Sequence, residues 1–170
     1  QTDKSNAQAI LNRYTDLVSK SEQKPIEKYQ SYSQALALAS DVKLQNRLIG
    51  LLGGTHTQQA LLVVAPYMDN QPTAESAAGA VRTIVSKNIE TLGGEQVRAM
   101  LNKAITCSEA VGDADAGYAI DDIKGMLERL PEVETSPKFI LSDEEAKEGF
   151  EVLFDGENLD QWTGNKINYV

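Results

Sequence analysis

The chain has 170 residues, of which 41% are hydrophobic, 24% charged and 6% aromatic, with a formal net charge of -9. That length accommodates one well-buried domain and a fragment of a second. The negative charge argues against sequence-independent nucleic-acid binding, which draws its free energy from Lys and Arg neutralising phosphates, and it opposes docking on anionic lipid.

Long Pro-free stretches of Ala, Leu, Gln, Glu and Lys favour helix. From Asp3 to Ser21, the spacing of Ala7, Ile10, Leu11, Tyr14, Leu17 and Val18 predicts a first helix with these residues as its apolar stripe. Pro25, with its fixed φ and missing N–H, opens a second helix with Ile26, Tyr29, Tyr32, Leu36 and Ala39 as the buried face. Asp41 is the expected N-cap of a third, carrying Leu44, Leu48, Ile49 and Leu52, with Gly53-Gly54 supplying a left-handed closing residue. Thr55 or Thr57 is expected to cap a fourth helix through Leu61, Leu62, Val64, Ala65 and Met68, which Pro66 kinks or ends. The run "ALLVVAPYM" within it is about half a membrane span and contains a proline, so no transmembrane segment is expected.

Thr73 and Ser76 open a fifth, Ala-rich helix, where small side chains permit close packing around Val81, Ile84 and Val85. A sixth follows Gly93-Gly94 with Val97, Met100, Leu101, Ala104 and Ile105, and a seventh spans Ala116 to Leu130 with Ile120, Ile123, Met126 and Leu127 on one stripe. The helices run in pairs, and "LLGG" at Leu51 to Gly54 returns as "TLGG" at Thr91 to Gly94, a spacing typical of helical repeats. The stretch "LQNRLIGLLGG...QQALLVVAPYM...AESAAGAVRTIV" resembles the HEAT repeat. The expected fold is all-α, about seven helices in antiparallel pairs, as a HEAT-like α-solenoid or an irregular helical bundle, with a short extended C-terminal tail. Stacking follows because one helix pair cannot cover both of its apolar sides.

After Pro131 the composition changes. "PEVETSPKFILSDEEAKEGF" is linker-like, and Ser142 with Glu145 forms an S-x-x-E capping box for a short acidic helix from Asp143 to Lys147 that ends at Gly149. From Phe150 the pattern alternates as in a strand, with Phe150, Val152 and Phe154 on one side and a turn at Asp155-Gly156. The phrase "LSDEEAKEGFEVLFDGENLDQWTG" resembles the opening of the 3-keto-disaccharide hydrolase family, a jelly-roll sandwich. The matching positions are Gly149, Phe150, Leu153, Phe154, Asp155, Gly156, Leu159 and Trp162. The resemblance implies three regions: a helical domain over 1–130, a linker with the acidic helix over 131–148, and the truncated start of a hydrolase-like domain over 149–170. Two strands do not make a sandwich, so no catalytic residue carries over, and Phe154 and Trp162 read as core-forming rather than sugar-stacking.

Little else in the chain points to chemistry. Cys107 lies in the apolar pattern "MLNKAITC" and reads as a small buried side chain. His56, the only histidine, reads as a surface or capping-region residue. Asp121-Asp122 and Glu144-Glu145 are adjacent on helices, whereas glycosidase carboxyls face each other across the scissile bond. "DGENLD" and "DADAG" lack the Gly and Glu of a calcium loop, and neither Gly-Gly pair has the Lys or third Gly of a phosphate-binding loop. The expectation is a non-catalytic accessory domain of a secreted or periplasmic glycoside-hydrolase-type protein, without cofactor or metal. Its partners would be the remaining hydrolase domain and, through it, carbohydrate. The alternative is a protein- or peptide-binding α-solenoid, with the partner in the helical groove.

Overall fold

The computed structural model describes residues 2–131 and 142–150, and the chain divides into two units, Gln1–Glu132 and Val133–Val170. Among the described residues the fold is all-α, with helices α1 (Thr2–Lys20), α2 (Pro25–Leu38), α3 (Val42–Gly54), α4 (Gln59–Val64), α5 (Gln71–Lys87), α6 (Gly94–Val111), α7 (Ala114–Arg129) and α8 (Asp143–Lys147). A 3-10 turn, Ala65–Asp69, joins α4 to α5. Short connections make consecutive helices of the first unit antiparallel, and packing proceeds along the chain: α1 on α2, α2 on α3, α3 on α5, α5 on α6, α6 on α7. No described helix is long and apolar enough to cross a membrane.

Helix boundaries follow from local chemistry. The Asp41 carboxylate accepts the Leu44 N–H at 2.9 Å and the Asp113 carboxylate accepts the Ala116 N–H at 2.8 Å, so each satisfies one orphan donor at the start of α3 and α7. Pro25 begins α2, where the Glu27 carboxylate accepts the Lys24 N–H at 2.8 Å. The Gln8 amide of α1 fastens the α2–α3 turn by accepting the N–H groups of Ser40 and Asp41 at 3.0 and 3.2 Å. Pro66 cannot donate the next helical bond, and the backbone tightens from α4 into the 3-10 turn at that point.

The core runs through the centre of the stack. Leu48, Ile49 and Leu52 of α3 and Val81, Ile84 and Val85 of α5 are fully buried, as are Val64, Leu101, Ala104 and Met126. Each large side chain removed from water in this way contributes about 1.5–3 kcal/mol. The α3–α5 interface is the most extensive among the described helices. Small side chains permit it: an added Cβ on Gly53 would stand 3.0 Å from Cα and Cβ of Ala80.

Several sequence expectations change on contact with the structure. Gly53 and Gly54 remain inside α3, and the left-handed residue after the helix is His56, at φ 55. Gly93 and Gly94 instead start α6, with Gly94 at φ 86, so the two Gly-Gly pairs occupy different structural positions. Thr55 does not cap α4. Its hydroxyl donates to the Leu52 carbonyl at 2.7 Å and so closes α3. Thr73 lies in the first turn of α5 rather than before it, fully buried, with its hydroxyl on the Tyr67 carbonyl at 2.9 Å.

The outer helices also differ from expectation. Ile10, Tyr14 and Leu17 are 69%, 39% and 61% exposed, because α1 turns Leu11, Thr15 and Val18 toward the core. On α2, Tyr32, Ala35, Leu36 and Ala39 are buried, while Ile26 is 40% exposed.

In the second unit the capping box expected at α8 is present. The Ser142 N–H and hydroxyl donate to Glu145 Oε2 at 2.9 and 2.8 Å, and the Glu145 N–H donates to Ser142 Oγ at 3.3 Å. Gly149, at φ 90, follows the helix, and the Phe150 N–H returns to the Glu145 carbonyl at 3.1 Å. That is a Schellman closure, for which the left-handed position favours glycine. The expected linker over 132–141 and the expected extended tail from Glu151 lie outside the described residues.

Candidate functional site

Where the α6–α7 corner meets α5, a cleft of about 220 Å³ is lined by Glu75, Gly79 and Arg82 of α5, Ser108 of α6 and Asp113 and Asp115 at the start of α7. The Gly112 left-handed turn, φ 72, ends α6 and brings the α7 N-terminus to the rim. Three of these polar groups are engaged in structure. The Asp113 carboxylate caps α7, the Ser108 hydroxyl donates to the Ala104 carbonyl at 3.0 Å, and Arg82 approaches Asp122 at 3.9 Å. The Ser108 hydroxyl is thus bonded to its own helix backbone, whereas an activated nucleophile is bonded to a general base.

The other residues weighed from sequence take structural positions. His56 is exposed and forms the α3–α4 corner; its N–H donates to Gly53 at 3.2 Å and its carbonyl accepts from Asn88 Nδ2 at 3.0 Å. Cys107 is half-buried, with its sulfur 3.7 Å from the Met68 carbonyl, and burial pushes its thiol pKa up despite nearby Lys103. A nucleophilic cysteine needs the opposite shift. Asp121, Asp122, Glu144 and Glu145 are exposed. Backbone and hydroxyl hydrogen bonds from Ser142 hold the Glu145 carboxyl below the usual range. Among the described residues, no group of three or more His, Cys, Asp or Glu side chains is placed to hold a metal ion.

Of the family-like positions, Gly149 closes α8 and Phe150 is 60% exposed. Leu153, Phe154, Asp155, Gly156, Leu159 and Trp162 lie outside the described residues, as does the "DGENLD" segment.

Sequence reasoning missed the surface of α1. Ile10, Tyr14 and Leu17 share its outer face with exposed Arg13 and Lys20. Asp16 on the same helix is hydrogen-bonded to Arg47 of α3; that bond first, and then the charges of Arg47, Lys20 and Arg13, hold its carboxyl below the usual range. Four residues of spacing cannot distinguish a stripe that faces the core from one beside it. The available signal was Thr15, whose place between Leu11 and Val18 marks a second, narrower face. A scan against protein-family models finds no match, and searches of curated proteins and of solved structures find no similar chain.

Proposed function

We propose that residues 1–130 form a non-catalytic accessory domain, for interaction or spacing, of a secreted or periplasmic hydrolase of the 3-keto-disaccharide type, and that the 170-residue chain has no turnover of its own. The observation that carries this reading is the junction at α8. A short acidic helix with a Ser142–Glu145 capping box, closed by left-handed Gly149, leads directly into a strand-patterned phrase. This is the order in which the resembled family opens, and the hydrolase remainder and its carbohydrate substrate are the partners it implies. An accessory role for the helical region is supported by the cleft beside α5, where Asp113 serves as a helix cap and Ser108 as a backbone tie.

The test is turnover of 3-keto-disaccharides and of ordinary glycosides by the purified 170-residue chain. No hydrolysis above buffer is expected; measurable turnover of either class overturns the reading. A second reading, a HEAT-like solenoid that binds a protein or peptide, is favoured by one feature, the exposed apolar side chains of α1.

A further inference from the structure

Ile10, Tyr14 and Leu17, together with exposed Ala7, recur at alternating three- and four-residue spacing along the outer face of α1. This is the periodicity with which one helix presents an apolar seam to another. Exposed Arg13 and Lys20, seven residues apart, border that seam on its solvent side. Beyond them lies Arg47 of α3, bonded to Asp16. Among the described side chains this band holds Arg13, Lys20 and Arg47 against Asp16. It does so in a chain with 16 Lys and Arg and 25 Asp and Glu, of which residues 1–52 carry seven and five respectively. The first three helices are therefore less acidic than the rest of the chain.

We propose that the outer face of α1 is a docking site for an acidic amphipathic helix of a partner protein, whose apolar side covers Ile10, Tyr14 and Leu17 and whose carboxylates meet Arg13 and Lys20. Charge complementarity selects this occupant. A second copy of the chain is disfavoured, because an antiparallel self-pairing along the seam sets Arg13 and Lys20 against the same cations of the other copy. The seam is also small beside the roughly 800 Å² per partner that a stable complex buries. The fit is therefore to a weak partner whose attraction is largely electrostatic and falls with salt. An anionic membrane is the competing occupant with the same charge, and the vesicle arm of the test below separates it from a helix. The inference goes beyond the accessory-domain reading and does not depend on it, since neither the hydrolase remainder nor turnover enters.

The probe is a synthetic helical peptide of about three heptads, with Leu at the seam positions and Glu at the flanks, beside an otherwise identical peptide with Lys for each Glu. Binding to the 170-residue chain is read by fluorescence anisotropy at low and high salt. The Glu peptide is expected to bind at least about tenfold tighter than the Lys peptide at low salt, with the difference shrinking as salt rises. The double substitution I10Q/L17Q should weaken binding of the Glu peptide by about tenfold, and R13E/K20E should reverse the preference between the peptides. All four positions are exposed, so unchanged helical circular dichroism is expected and separates lost docking from lost fold. Equal affinity for the two peptides, or no effect of R13E/K20E, overturns the proposal. So does a dimer in sedimentation that I10Q/L17Q dissolves, or capture of the chain by phosphatidylglycerol vesicles through the same residues.

Discussion

At Gly53 the side chain is absent where α3 passes closest to α5, and a methyl there would press on the Cα and Cβ of Ala80, itself only 4% exposed. Gly50 lies one turn earlier on the same helix, and nothing stands within 4 Å of the Cβ it lacks. The two glycines therefore make opposite predictions. Gly50→Ala replaces the poorest ordinary helix former with the best and should stabilise the fold by about 0.5–1 kcal/mol. Gly53→Ala makes the same gain in propensity, but α5 must move to admit it, and the expected net result is a loss of about 1–3 kcal/mol. Urea denaturation with an unchanged m-value measures both, and equal shifts of the two midpoints would contradict the close approach. This difference was not legible in the sequence. "LLGG" marks the end of a helix, but whether a glycine is there to turn the chain or to admit a neighbour depends on which helix arrives, and Ala80 is distant in sequence. The turn is made by His56, which enters the left-handed region less readily than glycine and is held there by its backbone bonds to Gly53 and Asn88.

Elements were easier to read, because helix existence rests on periodicity and capping, both local in the chain. The seven helices expected in residues 1–130 and the short α8 are all present, but α4 ends at Val64 rather than Met68, and α5 and α7 begin earlier than expected, at Gln71 and Ala114. Asp41 was identified by type and position, and the structure gives it its Leu44 bond. Asp113 does the same for α7, three residues before the expected start. Asn70 stands at the same place before α5, yet its side chain caps nothing, because Pro72 and the Thr73 hydroxyl already settle that turn. These three positions separate cap chemistry from mere polarity. Asp41→Ala and Asp113→Ala should each cost about 0.5–2 kcal/mol, and their effects should add, since the caps share no partner. Asn70→Ala should cost no more than about 0.5 kcal/mol, the range of a surface change away from such features. Thermal midpoints of the three single variants and the Asp double variant check the set, and a large loss at Asn70 would show that residue type alone, rather than the observed bond, carries the effect. Periodicity failed where it had to choose between adjoining faces, as on α1, because rotating a stripe by a residue or two leaves its spacing unchanged.

Across the first unit, burial is graded rather than uniform. The fully buried side chains of α3 and α5 pack in its most extensive interface, whereas among the described side chains of α1 only Thr15 and Val18 are buried and Ile10 and Leu17 lie outside. In a stack where each helix leans chiefly on its neighbours, opening an outer helix exposes one interface, but opening a central one exposes two. The outer helices should therefore open at a lower free energy than the whole fold. Native-state hydrogen exchange tests this directly. The amides of Leu48, Ile49, Val81 and Ile84 are expected to exchange slowest, at the rate set by global unfolding. The mid-helix amides of α1 from Arg13 to Leu17 should exchange at least about tenfold faster, with a weaker dependence on denaturant, the mark of local opening. Equal protection in α1 and α3 would mean that the unit unfolds in one step. The outer seam of α1 would then belong to a helix held as firmly as the core, and a partner binding there would add little order. If the gradient is present, any helix docked on Ile10, Tyr14 and Leu17 must slow exchange in α1 more than in α5, because a ligand protects most the element whose opening removes its site.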